Sequence, residues 1–302
     1  MPKKMMFQGT SSHVGKSILT TAFCRILSQD GYRTAPFKAQ NMALNSYVTR
    51  TGGEIGRSTV AQAEAAGAEP IVQMNPVLLK PTGNASSQLI LLGKAIGTYS
   101  AAEYQNHYSQ EAWKQVRESL DYMESHFEAL VIEGAGSPAE VNLKKNDIVN
   151  MRIAKTARAP VFLIADIDRG GALASIVGTL ELLEPDERAL VRGLVINKFR
   201  GDINLLTPAL DFLEEKTGIP VVGVVPYLDK LGIDDEDSVS LQDLPSESVM
   251  RDIRIAVIQT PKISNFTDFD ALSREPDVTV RFVQQGDQIG TPDLIMLPGS
   301  KN

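Results

Sequence analysis

Cysteine is nearly absent from this 302-residue sequence. Cys24 stands alone, which excludes an internal disulfide and any metal site of the multi-cysteine kind. Histidine is also scarce, and none follows His126. Long apolar runs are missing: the longest, Ala159 to Ala165, falls far short of the ~20 residues a membrane span needs. Lys3 and Lys4 precede an apolar run that stops at Gln8, too soon for a secretory leader, so the expected location is the cytoplasm. Basic charge is in deficit, with 30 Lys and Arg against 37 Asp and Glu and a net charge of −7. That balance argues against a broad nucleic-acid footprint, which needs a basic face, while leaving room for a local basic pocket.

What remains is ordinary globular composition, 43% apolar and 22% charged. The length corresponds to about two domains at roughly 150 residues each. Short apolar runs at Met5–Gln8, Thr34–Lys38, Ala129–Glu133, Val161–Asp166, Gly193–Asn197 and Val221–Val225 predict strands. Helix-period segments lie between them at Lys16–Gln29, Ala101–Phe127, Ile148–Ala157, Ala172–Leu183 and Ile203–Thr217. The β-α-β order, with strands apolar throughout rather than alternating, predicts a doubly wound, mostly parallel α/β sheet buried on both faces. A ligand then belongs at the carboxyl ends of the strands, where Gly9, Lys38, Glu133, Asp166 and Asn197 fall. Residues 1–228 are expected to form this domain. The acidic, aperiodic stretch 229–252 reads as a linker. A fresh pattern over 253–302, with strands at Ile253–Gln259, Val278–Val283 and Leu294–Leu297 and a helix at Phe266–Ser273, is expected to be the start of a second domain cut short.

Gly9, Thr10, Ser11, Ser12, His13, Val14, Gly15, Lys16 and Ser17 follow a strand and open a helix, the setting of a phosphate-binding loop. Backbone N–H groups and the helix N-terminus attract phosphate, Lys16 reaches the β/γ oxygens, and the Ser17 hydroxyl can ligate Mg²⁺. The loop is a lengthened variant, with five residues rather than four between Gly9 and Gly15. His13 in such a loop is more often a bystander than a catalyst. Asn197 ends another strand, where it can meet a base edge or simply close a turn. Guanine-reading sites usually carry Asp where Arg200 stands, which favours adenine and hence ATP.

Glu133, leaving a strand beside Gly134 and Gly136, suits a second Mg²⁺ contact opposite Ser17, although a solvated carboxylate at a turn has the same sequence. Lys38 can offset charge on a transferring phosphoryl group, and a lone Lys is equally often surface. Gln40, Asn41, Asn45, Tyr47, Asn75, Lys80, Gln88, Asn142 and Asp147 form a polar set in the loops. Amides donate and accept without charge repulsion, which suits a ligand carrying several carboxylates or carboxamides, and loop polarity alone also accounts for most of them. Asp166 and Asp168 can serve a metal or brace a loop. Cys24, on the apolar pattern of the first helix, reads as a buried structural thiol.

Several blocks occur together in order: Gly9-Thr10-Ser11 with Gly15-Lys16-Ser17, Pro36 to Met42, Gln62 to Ala66, Asn75 to Pro81, Glu133 to Glu140 and Ala165 to Gly171. Across essentially the whole chain they closely resemble the cobyric acid synthase family, glutamine-dependent corrinoid amidotransferases related to dethiobiotin synthetase. The lengthened phosphate loop is the form those relatives carry. The resemblance implies ATP-dependent amidation of the b, d, e and g carboxylates of adenosylcobyrinic acid a,c-diamide to adenosylcobyric acid through acyl phosphates. By similarity, Lys16, Lys38 and Asp147 act in catalysis, and Gln40, Asn41, Asn45, Tyr47, Asn75, Lys80 and Asn142 hold the corrinoid. The implied partners are the corrinoid and ammonia or glutamine, with no nucleic acid or membrane, and a homodimer is left open.

The same resemblance implies a class I glutaminase-like α/β domain with a cysteine nucleophile and a later histidine, of which 253–302 looks like the beginning. Without a thiol or imidazole beyond the linker, the expectation is a fragment unable to hydrolyse glutamine, in which free ammonia can still support amidation. Two other ligases share the ATP machinery, an a,c-diamide synthase and a dethiobiotin-synthetase-like enzyme. A partitioning-type ATPase switch is a non-enzymatic alternative, and it lacks the expected basic patch or amphipathic tail here.

Overall fold

The computed structural model describes residues 2–82, 85–144, 147–228 and 251–300. Nearly all of the expected linker, 229–250, lies outside the described residues. The chain runs through β1 (Lys3–Gly9), α1 (Lys16–Gln29), β2 (Thr34–Phe37), β3 (Gln40–Met42), β4 (Ser46–Val48), β5 (Glu54–Gly56), α2 (Arg57–Ala65), β6 (Val77–Pro81), β7 (Ser86–Leu91) and β8 (Lys94–Ser100). It continues with α3 (Ala101–Glu103), α4 (Ser109–His126), β9 (Ala129–Glu133), α5 (Met151–Ala157), β10 (Val161–Asp166), α6 (Ala172–Glu181), α7 (Pro185–Arg188), β11 (Val191–Phe199), α8 (Ile203–Thr217) and β12 (Val221–Pro226). The last described elements are β13 (Ile253–Ile258), α9 (Asp270–Ser273), β14 (Val278–Val283) and β15 (Leu294–Met296).

Six strands form one parallel sheet in the order β12-β11-β10-β1-β9-β2. Its strands are unbroken apolar runs because successive residues feed two different cores. Met6, Leu130, Ile132, Leu163, Leu194 and Ile196 pack on one side. Phe7, Val131, Ile164 and Val195 pack on the other, against Leu19 and Cys24 of α1. A two-sided sheet leaves no solvated face, so alternation disappears from the sequence. The expected doubly wound parallel fold is therefore the one the chain adopts. β1 lies inside the sheet with β9 and β2 to one side and β10, β11 and β12 to the other, so the loop after it opens at the switch in strand order where such sheets take ligands.

Several helix boundaries differ from the periodicity: α6 ends at Glu181 rather than Leu183, the segment expected as a helix over Phe266–Ser273 starts as a 3₁₀ turn and is α-helical only from Asp270, and two others differ at their starts. The segment expected as one helix over 101–127 begins with a capping box between Ser100 and Glu103, passes through a π-helical turn at Tyr104–Tyr108, and only then becomes α4. α5 begins at Met151 rather than Ile148, because Asp147 Oδ1 accepts the N–H groups of Val149 (2.8 Å) and Asn150 (3.1 Å) and bends the chain ahead of the helix.

The stretch between Lys38 and Ser100 contributes structure that apolar periodicity does not single out. β3, β6, β7 and β8 make a four-stranded sheet, parallel at β3–β6 and antiparallel beyond, and β4 pairs with β5 as a small hairpin. Near the end of the chain β14-β13-β15 form a separate parallel sheet around Ile255, Val257, Ile263, Phe266 and Val278. It meets the rest of the molecule where the Ser46 N–H donates to Asn265 Oδ1 (2.9 Å) and the Ser264 hydroxyl donates to the Leu44 carbonyl (3.1 Å).

Leu130 is fully buried in the central sheet. Leu130→Ala should lower the free energy of urea unfolding by about 2–5 kcal/mol, the usual cost of such a cavity.

Candidate functional site

The loop after β1 returns into α1 through Gly15 at φ +97°, a left-handed backbone that favours glycine. A Cβ at Gly15 would stand 2.1 Å from Asn197 Nδ2, so the close approach also requires glycine. That amide donates to the Val14 carbonyl (2.8 Å), which places Asn197 against the loop as a brace. Lys198, itself left-handed at φ +60°, adds a second brace by donating to the His13 carbonyl and to Asp166 Oδ2, each at 2.7 Å. Thus Asp166 steadies the loop through Lys198, while Asp168 pairs with Arg200 (3.1 Å). Thr10 is half-buried, and Ser11, Ser12 and His13 are exposed along the rim.

Lys16 lies almost fully buried at the start of α1, donating to the carbonyls of Ser11 (2.9 Å) and Gly136 (3.1 Å). It thereby ties the loop to the turn that leaves β9. One residue on, the Ser17 hydroxyl donates to Glu133 Oε1 at 2.8 Å. The same oxygen receives the Lys38 ammonium at 3.1 Å, and both partners of that ion pair are buried. Glu133 Oε2 receives Gln62 Nε2 at 2.5 Å. Three elements thus bring donors to the carboxylate at the tip of β9: α1, the end of β2 and α2.

This donor set suits a magnesium ion. Mg²⁺ prefers a few oxygen ligands from the protein and fills its octahedron with water and substrate phosphates. The Ser17 hydroxyl and the Glu133 carboxylate are hard oxygens in contact with each other, beside the loop. Among the described residues there is no cluster of three or more His, Cys, Asp or Glu side chains able to hold a metal by themselves. Several buried polar atoms nearby, Asn41 Nδ2, Thr59 Oγ1 and Gln62 Oε1, have no hydrogen-bond partner among the described residues. Buried polar atoms are rarely left so, and such orphans mark places where a ligand or water belongs.

The other polar residues fall into distinct environments. Asn75 is structural in its contacts: Nδ2 donates to the carbonyls of Lys38 and Val77, both at 3.0 Å, and Oδ1 accepts the Gly56 N–H at 3.0 Å. Asn41 packs against Gly56 at the start of α2. Gln40 accepts the Tyr104 hydroxyl at 2.6 Å, and burial pushes the Tyr104 phenol up from its usual range. Lys80 forms an ion pair with Glu54, and Ser46 hydrogen-bonds both of them. Tyr47 lies on β4 beneath the Arg57 guanidinium, 5.7 Å from its ring centre, and Asn45 is buried next to that strand. Asn142 is exposed in the turn following Glu140. Gln88 pairs with Lys80 in the β6–β7 register.

Asp147 is held by the backbone N–H groups ahead of α5, and Asn150 Nδ2 donates to the Ala135 carbonyl (2.7 Å), which links this turn to the loop after Glu133. Burial raises the Asp147 carboxyl above its ordinary value, and the backbone donors only partly oppose it. Cys24 is fully buried under the sheet, and burial, followed by the charge of Glu133, pushes its thiol up. It is an inert core residue.

Gln62 and Tyr104 are site neighbours that periodicity and motif chemistry pass over. Gln62 opens the Gln62–Ala66 block that carries the family resemblance, and nothing in the sequence attaches a role to it.

A family model described as "CobQ/CobB/MinD/ParA nucleotide binding domain" matches residues 5–240, and one described as "CobB/CobQ-like glutamine amidotransferase domain" matches residues 254–302. A cobyric acid synthase of Desulfitobacterium hafniense (strain DSM 10664 / DCB-2) is 62% identical, over 99% of this chain and 59% of its own length. One from Moorella thermoacetica is 58% identical, over 100% of this chain and 59% of its own length. The chain therefore spans about three fifths of these relatives. A solved structure of the signal recognition particle receptor FtsY from Elizabethkingia anophelis aligns at 14% identity with a TM-score of 0.42, over 78% of this chain and 62% of that one.

A carboxyl whose folded-state affinity for protons is raised destabilises the fold as pH rises, because the native state must then bury a charge the unfolded state carries freely. For Asp147 this loss begins above its ordinary value of 3.8. The difference in unfolding free energy between Asp147→Asn and wild type should therefore move in favour of the variant between pH 3 and pH 7, as measured by urea denaturation across that range.

Proposed function

Because this chain belongs to the family of CobQ/CobB/MinD/ParA nucleotide binding domains, we propose that it binds ATP and Mg²⁺ and activates carboxylates of a corrinoid for amidation. In this reading residues 1–228 are the synthetase unit and 253–302 the opening of an amidotransferase-like unit. The observation that carries it is the convergence of Ser17, Lys38 and Gln62 on Glu133 beside a lysine-anchored phosphate loop. The strong identity to cobyric acid synthases supports adenosylcobyrinic acid a,c-diamide as substrate, amidated at its b, d, e and g carboxylates.

A carboxylate is a poor acyl donor. One of its oxygens attacks the γ-phosphorus, the bond to the β-phosphate oxygen breaks, and ADP leaves an acyl phosphate. Ammonia then adds at the acyl carbon, inorganic phosphate departs, and a proton passes from nitrogen to the phosphate. Phosphoryl transfer of this kind is mainly positioning plus charge stabilisation. The loop from Gly9 to Ser17 aligns the triphosphate with its backbone N–H groups, and Lys16 holds the β/γ oxygens. Lys38 compensates charge on the group in flight. Ser17 and Glu133 would hold Mg²⁺, which when bound would supply charge compensation at the phosphate oxygens. Gln40, Asn41, Asn45, Tyr47, Asn75, Lys80 and Asn142 are the candidate corrinoid contacts, with Asp147 assigned to the acyl phosphate or ammonia step. Asn197 acts on the nucleotide through the loop it braces.

Calorimetry with ATP and Mg²⁺, followed by an assay with the corrinoid diamide and ammonium, tests this reading. Ammonium is the nitrogen source because the single thiol, Cys24, is buried away from residues 253–300. Wild type should bind ATP and form the amide, and Lys16→Ala should cut turnover by roughly 10²–10³-fold. Unchanged turnover in the variant would remove the loop from the chemistry, and nucleotide-dependent dimerisation without corrinoid binding would favour a switch instead.

A further inference from the structure

Gln62 is fully buried on α2, alongside Ser58, Thr59, Val60 and Ala63. A glutamine there is costly: one end of its amide, Oε1, has no partner among the described residues, and a buried polar atom left unsatisfied forfeits its hydration without a return. What the residue supplies in return is a single strong contact, Nε2 to Glu133 Oε2 at 2.5 Å.

That contact divides the carboxylate into two unlike oxygens. Oε1 takes the Ser17 hydroxyl and the Lys38 ammonium, while Oε2 takes the Gln62 amide. Without the amide, Oε2 would be a buried anionic oxygen lacking that donor, and the carboxylate could turn about its Cγ–Cδ bond and carry Oε1 out of line with Ser17. A carboxylate in place of Gln62 would set two anions against each other, and a lysine would add a second competing cation. A neutral donor is the chemistry that fixes the group without altering its charge.

We propose that Gln62 is a positioning residue of the magnesium site, holding the Glu133 carboxylate by Oε2 so that Oε1 stays turned toward Ser17. The proposal rests on the reading that Ser17 and Glu133 hold the metal. Gln62 does not touch the reacting atoms; it sets the orientation of one ligand, as the outer partners of metal ligands commonly do.

The test is titration of the 302-residue chain with Mn²⁺, a paramagnetic substitute for Mg²⁺, in the presence of a non-hydrolysable ATP analogue and followed by electron paramagnetic resonance. Gln62→Met keeps the length and removes the donor. It should weaken Mn²⁺ binding by about 10–100-fold, the range for loss of such a partner. Affinity for the analogue in EDTA should stay within about twofold of wild type, which a general structural defect would not spare. Metal affinity equal to wild type would overturn the proposal. Glu133→Gln serves as the control: if it weakens Mn²⁺ binding and Gln62→Met does not, the inference about Gln62 fails alone, and if neither does, the metal assignment fails with it. Should Gln62→Met not fold, the side-chain amide protons of Gln62 in wild type decide the matter by NMR. Slow exchange with solvent, and line broadening when Mn²⁺ is added, are expected; fast exchange with no broadening would overturn the assignment.

Discussion

The structure depends most on one buried carboxylate. Glu133, at the tip of a central strand, is surrounded by a hydroxyl, an ammonium and an amide that come from three other elements. A carboxylate this deep is tolerable only if it is paired and hydrogen-bonded, because desolvating an isolated ion costs several kcal/mol. Each donor therefore has to be brought to it by the fold. α1 must start where it does, β2 must end just before Lys38, and α2 must pack its amide inward. The ligand-facing end of the sheet is built around this requirement.

Most of the sheet was legible because its strands are wholly apolar and its helices periodic. The runs at Ala129–Glu133 and Val161–Asp166 and the helices at Lys16–Gln29 and Ile203–Thr217 coincide with the elements formed. The segment 38–100 was not legible in the same way. β3, β4 and β5 have three residues each, too few to establish a period, and β8 carries exposed residues on both faces. β3 is held by register with β6, β4 with β5 and β8 with β7, and the Lys80–Glu54 ion pair ties β6 to β5, partners that a linear reading cannot bring together.

The candidate site divides along a similar line. Residues at strand ends, such as Gly9, Lys38, Glu133 and Asn197, are placed by topology, and their neighbourhood follows from strand order. How each one is used does not follow. Asn197 turns its amide under the phosphate loop, and Asp147 is committed to the backbone ahead of α5. Gln62 opens one of the blocks that carry the family resemblance, but its contact with Glu133 becomes visible only once α2 is folded against the site.

The hydrogen bond from the Ser46 N–H to Asn265 Oδ1 joins the C-terminal segment to the β4–β5 hairpin. Ser46 also contacts both Lys80 and Glu54, so a single residue is shared between the docking seam and a buried charge pair. The backbone amide of Ser46 thus serves the seam while its hydroxyl serves the Lys80–Glu54 pair.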